Sequence, residues 1–130
     1  MKHLNSFKLF ESEDSNFPSS FIDEIKDISL EFSDIDLEVN YNFVNYYKTD
    51  SLGRPSRIRA FAIDIKDSSS RFFRWNEIKE TVLRIEDISN RLGFKIDIEI
   101  PTDDDYLQLE DFISVYSGEE LYDISIIIYK

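Results

Sequence analysis

The hydrophobic pattern of the chain changes period several times, and each change marks an element. Phe21, Ile22, Ile25, Ile28 and Phe32 recur at helical spacing with Asp23, Glu24, Lys26 and Asp27 between them. That predicts an amphipathic helix of about four turns, capped by Ser19 or Ser20 behind Pro18, with Asp23 in its first turn. The period then becomes two: Ile35, Leu37, Val39, Tyr41 and Phe43 alternate with Asp36, Glu38, Asn40 and Asn42, as in a half-buried strand. At Val44-Asn45-Tyr46-Tyr47 the alternation blurs, which points to a bulge or an emerging sheet edge. Asp50, Ser51, Gly53 and Pro55 read as a hairpin loop, and the strand returns over 57–66 with Phe61, Ile63 and Ile65 on one face.

After Ser68 and Ser69, a second helix is expected from about Asn76, with Ile78, Val82, Ile85, Ile88 and Leu92 on one stripe and Gly93 as its left-handed cap. Phe94, Ile96, Ile98 and Ile100 predict a strand closed by Pro101. Leu109, Phe112, Ile113 and Tyr116 suit a short helix closed by Gly118. The last strand, 121–129, is apolar on both faces at its end, which places it centrally or under a covering segment. Residues 1–18 read as an N-terminal arm whose Phe7, Leu9 and Phe10 pack on the domain or on a neighbour, and 19–130 as one domain.

The fold expected is α+β: a two-layer sandwich of a four-stranded, mainly antiparallel sheet with two main helices on one face. The order is αββαββ, compatible with a permuted ferredoxin-like arrangement. Ile25-Lys26-Asp27-Ile28-Ser29 and Ile85-Glu86-Asp87-Ile88-Ser89 hint at an internal duplication.

Composition narrows the chemistry. The chain has 130 residues, 11 Phe and 7 Tyr, enough apolar side chain for a true core. The net charge of −12 repels phosphate polymers and anionic lipid, so nucleic acid and membrane are disfavoured as partners. No cysteine means no disulfide or thiolate site, and fits a reducing, cytoplasmic setting. No apolar run nears the roughly 20 residues of a membrane span, and the start lacks the apolar core of a secretory signal.

Catalytic signatures are missing. His3, the single histidine, stands in the arm, away from the packed neighbours a Ser-His-Asp triad needs. Gly53, Gly93 and Gly118 stand alone, so no phosphate-binding glycine loop exists. Asp103, Asp104 and Asp105 form the densest acidic run and a weak divalent-metal candidate, but without the alternating spacing of a calcium loop. No cofactor is implied.

The uneven feature is charge placement. Between Arg54 and Arg74, six cations (Arg54, Arg57, Arg59, Lys66, Arg71 and Arg74) face only Asp64 and Asp67. The segment is +4 and the remainder −16. Phe61, Phe72, Phe73 and Trp75 interleave with it. Arg54, Arg57, Arg59, Arg71, Arg74 and Trp75 are therefore the candidate partner-binding set, suited to an acidic protein surface. The alternative is that the arginines pair with neighbouring acids while the rings fill the core.

The opening Met1-Lys2-His3-Leu4-Asn5-Ser6-Phe7-Lys8-Leu9-Phe10-Glu11-Ser12, the Phe72-Phe73-Arg74-Trp75 lead into a helix and the Ile/Lys/Asn/Asp/Ser/Phe/Tyr bias resemble small uncharacterised proteins of large tailed bacteriophages. The resemblance implies a viral accessory or virion protein, in host cytoplasm or virion, that binds other proteins or itself. Two further readings stay open. One is an acidic nucleic-acid mimic with Glu31, Asp34, Asp36 and Glu38 as a phosphate-like track against a host DNA- or RNA-binding protein. The other is a small metal-dependent carboxylate enzyme.

Overall fold

A computed structural model describes residues 17–69, 71–101 and 105–130. In chain order the elements are α1 (Ser19–Ser29), a 3-10 segment (Leu30–Ile35), β1 (Leu37–Thr49), β2 (Pro55–Asp67), α2 (Trp75–Arg91), β3 (Lys95–Ile100), β4 (Asp105–Gln108), α3 (Leu109–Tyr116) and β5 (Asp123–Tyr129). The strands form one sheet in the order β1-β2-β5-β3-β4, every neighbouring pair antiparallel.

The α+β class holds, with five strands among the described residues where four were expected, and with the expected short helix, α3, beside the two main ones. The additional strand is β4, four residues immediately before α3. Its only strong apolar residue is Leu107, so hydrophobic alternation carries almost no signal there. Pairing with β3, Ile98 opposite Leu107 and Glu99 opposite Tyr106, is what makes it a strand. The final strand is central, between β2 and β3.

Four of the strands carry an approximate twofold. Units α1-β1-β2 and α2-β3-β5 place β2 beside β5 at the centre, with β1 and β3 outside them; β4 and α3 are inserted in the second unit. The duplicated pentapeptide falls at matching places. Ser29 and Ser89 are both fully buried at their helix ends, donating to the carbonyls of Lys26 (2.9 Å) and Ile85 (2.7 Å).

One face of the sheet carries the helices. Phe61, Ile63 and Ile65 of β2, Ile96, Ile98 and Ile100 of β3, and Ile124, Ile126 and Ile128 of β5 meet Phe21, Ile25, Ile78, Val82, Ile85 and Phe112 in one core. Each such side chain, fully buried, contributes about 1.5–3 kcal/mol of transfer free energy. Phe17, from the stretch expected to be an arm, belongs to this core and stacks on Phe94 at 5.0 Å.

Local details differ from the periodicity reading where chain geometry intervenes. The cap of α1 falls on Pro18, with no side-chain bond, and Ser19 is already helical. The expected four turns divide into α1 and the 3-10 segment, which ends at Asp36 in left-handed conformation (φ 65°). Ile35 is therefore outside β1 and 41% exposed. Leu92 lies just past the end of α2 and is 46% exposed. No bulge interrupts β1: its register with β2 runs unbroken from Leu37 opposite Asp67 to Thr49 opposite Pro55.

Candidate functional site

That unbroken register creates the most unusual feature of the fold. Pairing of β2 with β5 covers only Phe61 to Lys66, while β1 and β2 pair for six further positions beyond Phe61. Residues 44–49 and 55–60 thus leave the sheet as a two-stranded ribbon. Its tip is tied by Asp50, whose carboxylate accepts from the backbone N–H groups of Leu52 and Arg54, both at 2.9 Å. Gly53 supplies the left-handed turn (φ 79°).

The ribbon is fastened along its length. Strand alternation puts Tyr46 and Lys48 on the face opposite the helices, together with Asp97 of β3 and Tyr129 of β5. Asp97 is 2% exposed. Its carboxylate accepts from the Tyr46 hydroxyl (2.6 Å), the Lys48 ammonium (2.9 Å) and the Tyr129 hydroxyl (3.0 Å), and Lys48 also donates to Tyr129 (2.7 Å). A second, smaller apolar cluster of Tyr46, Ala60, Ala62, Ile127 and Tyr129 lies around it. Sequence reading missed this group because Asp97 looks like the solvated half of an alternating strand. The one available signal was the two-sided apolar end of β5: Ile127 and Tyr129 need a cover, and Tyr46 supplies it.

The pKa values of Tyr46, Tyr129 and Lys48 are all shifted upward. Burial raises the Tyr46 phenol far above its ordinary value, with the Asp97 hydrogen bond adding to it. Tyr129 is raised too, chiefly by burial, against an opposing hydrogen bond from Lys48. Burial alone would lower Lys48, but its bonds to Tyr129 and Asp97 outweigh that and raise it. All three shifts favour the protonated forms of Tyr46, Tyr129 and Lys48, so the two phenols and the ammonium all stand as donors in a clamp around Asp97.

Next to the clamp, a cavity of about 330 Å³ opens on the same face between the ribbon and β4, with Asp64, Glu99 and Tyr106 on its walls and Ala62 and Ile127 as its floor. The Ser125 hydroxyl donates to Asp64, which also accepts from Asn42 (3.2 Å).

The structure does not gather the six candidate partner-binding residues. Arg54, Arg57 and Arg59 are on the ribbon, whereas Arg71 and Arg74 follow the other end of β2. Trp75 is 3% exposed and packs edge-on against Phe112 at 5.6 Å, so it is core. Arg54 lies 3.5 Å from Asp50, Arg71 3.8 Å from Asp67 and Arg74 3.8 Å from Glu120. Arg59 sits over the Phe43 ring at 5.8 Å. Arg57 is exposed and, among the described residues, has no ion pair. Counting residues 44–59, four cations and Asp50 leave the ribbon and tip at +3, against −15 for the rest of the chain. With Lys48 answered by Asp97, and Arg54 by Asp50, this element presents outward Arg57 opposite Tyr47 (65% exposed), and Leu52 (73% exposed) at the tip.

The acidic candidates are dispersed. Asp103 and Asp104, like His3, Phe7, Leu9 and Phe10, lie outside the described residues. Asp105 accepts a 2.6 Å hydrogen bond from Tyr116. Among the described residues no group of three or more acidic or histidine side chains is arranged to hold a metal ion. In the supposed phosphate-like track, Glu31 is paired with Arg84 and Glu38 lies 3.7 Å from Lys66. Among the described residues no helix is long and apolar enough to cross a membrane. Comparison with protein-family models, with curated proteins and with solved structures gave no match.

Proposed function

We propose that this protein is a non-enzymatic recognition module that binds an acidic protein surface through the β1–β2 ribbon. With the resemblance of its opening residues to small phage proteins, the module reads as an accessory or structural protein of viral type. The observation that carries the proposal is the pairing of exposure with rigidity. Tyr47, Leu52 and Arg57 stand in solvent on a ribbon held to the sheet by Lys48, Asp97 and Tyr46. Large exposed apolar side chains beside a cation without an ion pair are the composition of an interface anchor. A clamped ribbon loses little conformational freedom on binding. A phosphate polymer is a poorer partner, because a body of −15 opposes its approach. Two of the four residues in the nucleic-acid-mimic track are already answered by cations.

Poly-L-glutamate serves as a generic acidic probe. Amide shift mapping should place its contacts within residues 45–59, and Arg57→Glu combined with Tyr47→Ala should remove them. Shifts spread over the body, or a complex indifferent to both substitutions, would refute the reading.

A further inference from the structure

The acidic surface that fits the ribbon is present on this chain itself. We infer that it is the opposite end of a second copy, so that molecules associate head to tail; this rests on the ribbon reading above. β2 runs from Pro55 in the ribbon to Asp67, and Lys66 faces Asp123 at the start of β5. At a rise of about 3.3 Å per residue the two ends are roughly 40 Å apart along the strand. They cannot meet within one molecule.

At this far end a groove of about 460 Å³ lies between α3, the end of β3 and the start of β5. It carries two of the chain's exposed large apolar side chains, Val115 (57%) and Tyr122 (49%), beside Glu119, Glu120 and Asp123. Glu119 is exposed and has no ion pair among the described residues. Glu120 lies 3.8 Å from Arg74 and accepts from Tyr122 at 3.3 Å. Each end of the molecule therefore shows exposed apolar side chains with an unpaired charge, of opposite sign: Arg57 opposite Tyr47 with Leu52 at the tip, and Glu119 with Val115 and Tyr122. An unpaired charge gains most from an opposite one when apolar neighbours exclude water from the contact.

Two different patches make a heterologous contact, which propagates into a ring or filament and does not close as a symmetric dimer. The bodies are like-charged, and at about 0.15 M salt a screening length near 8 Å limits their repulsion while leaving the direct contact.

Sedimentation velocity at that salt tests this directly. The wild-type chain should grow beyond the monomer as concentration rises. Arg57→Glu on the ribbon and Glu119→Lys in the groove should each weaken association by at least about tenfold. An equimolar mixture of the two variants should regain growth beyond the monomer, since the intact ribbon of one meets the intact groove of the other, and the Arg57→Glu ribbon again meets an opposite charge in the Glu119→Lys groove. Both positions are exposed, and unchanged melting curves establish that the variants fold. A symmetric dimer that survives both substitutions, or a mixture that stays monomeric, overturns the inference. A wild-type monomer that still takes poly-L-glutamate on the ribbon overturns the head-to-tail contact and leaves the ribbon reading standing; a monomer that takes none overturns both.

Discussion

The Lys48 ammonium and the Asp97 carboxylate are 49 residues apart in sequence and 2.9 Å apart in the fold. Asp97 is almost wholly buried, whereas the Lys48 side chain is about one-third exposed. The carboxylate is thus the fixed half of the pair, anchored on β3 beside the central strand β5, and the lysine is the half that brings the ribbon to it. Charge, hydrogen bonding and topology meet at that contact.

Asp97→Ala removes the shared acceptor of Tyr46, Lys48 and Tyr129 and leaves two buried hydroxyls without it. The expected cost is about 3 kcal/mol, read from urea unfolding. Hydrogen exchange should accelerate in residues 44–49 and 55–60 more than in β3, since the ribbon loses its fastening while β3 keeps both neighbours. A loss under about 1 kcal/mol, or uniform exchange, would show that the ribbon does not depend on the clamp.

Acid should relieve two carboxylates. Burial and the nearby Asp64 raise Asp123 above its ordinary 3.8, against Lys66. Burial and the charges of Glu110 and Asp87 raise Glu86 above 4.5. A carboxyl with a raised folded pKa binds its proton more tightly in the native state. Its favourable contribution is complete below the unfolded value and is lost as pH climbs through the folded one. Asp123→Asn and Glu86→Gln should therefore match the wild type more closely in acid and become relatively more stable toward neutral pH. Melting temperatures across that range check the sign; a gap that widens toward acid would contradict it.

Phe17→Ala should destabilise the domain by about 3 kcal/mol, measured by denaturant unfolding. The ring is 6% exposed and makes contacts with Phe43, Phe61 and Phe94. Were the Phe17 ring not part of the core, the substitution would be nearly silent.

Much of the fold was legible from period alone. Both long helices, the β1–β2 hairpin, the left-handed Gly93 (φ 82°) and the central final strand follow from spacing and turn chemistry. β4 was not legible, because four residues give too little alternation to read. The candidate site was legible only in fragments. The run from Arg54 to Arg74 looked like one patch in sequence, yet β2 is extended and carries its two ends far apart, and Trp75 turns inward onto Phe112. Charge clustering along a chain becomes clustering in space only when the backbone folds back between the charges, and here it does not.

What the sequence determined by itself is the set of local periods, and with them an α+β body with one strongly apolar sheet face, because side-chain direction along a helix or strand is fixed by backbone geometry. Which strands became neighbours, how far β1 and β2 outrun β5, and the meeting of Lys48 with Asp97 were decided only in the tertiary structure. Those depend on contacts between residues remote in the chain, whose energies no local pattern encodes.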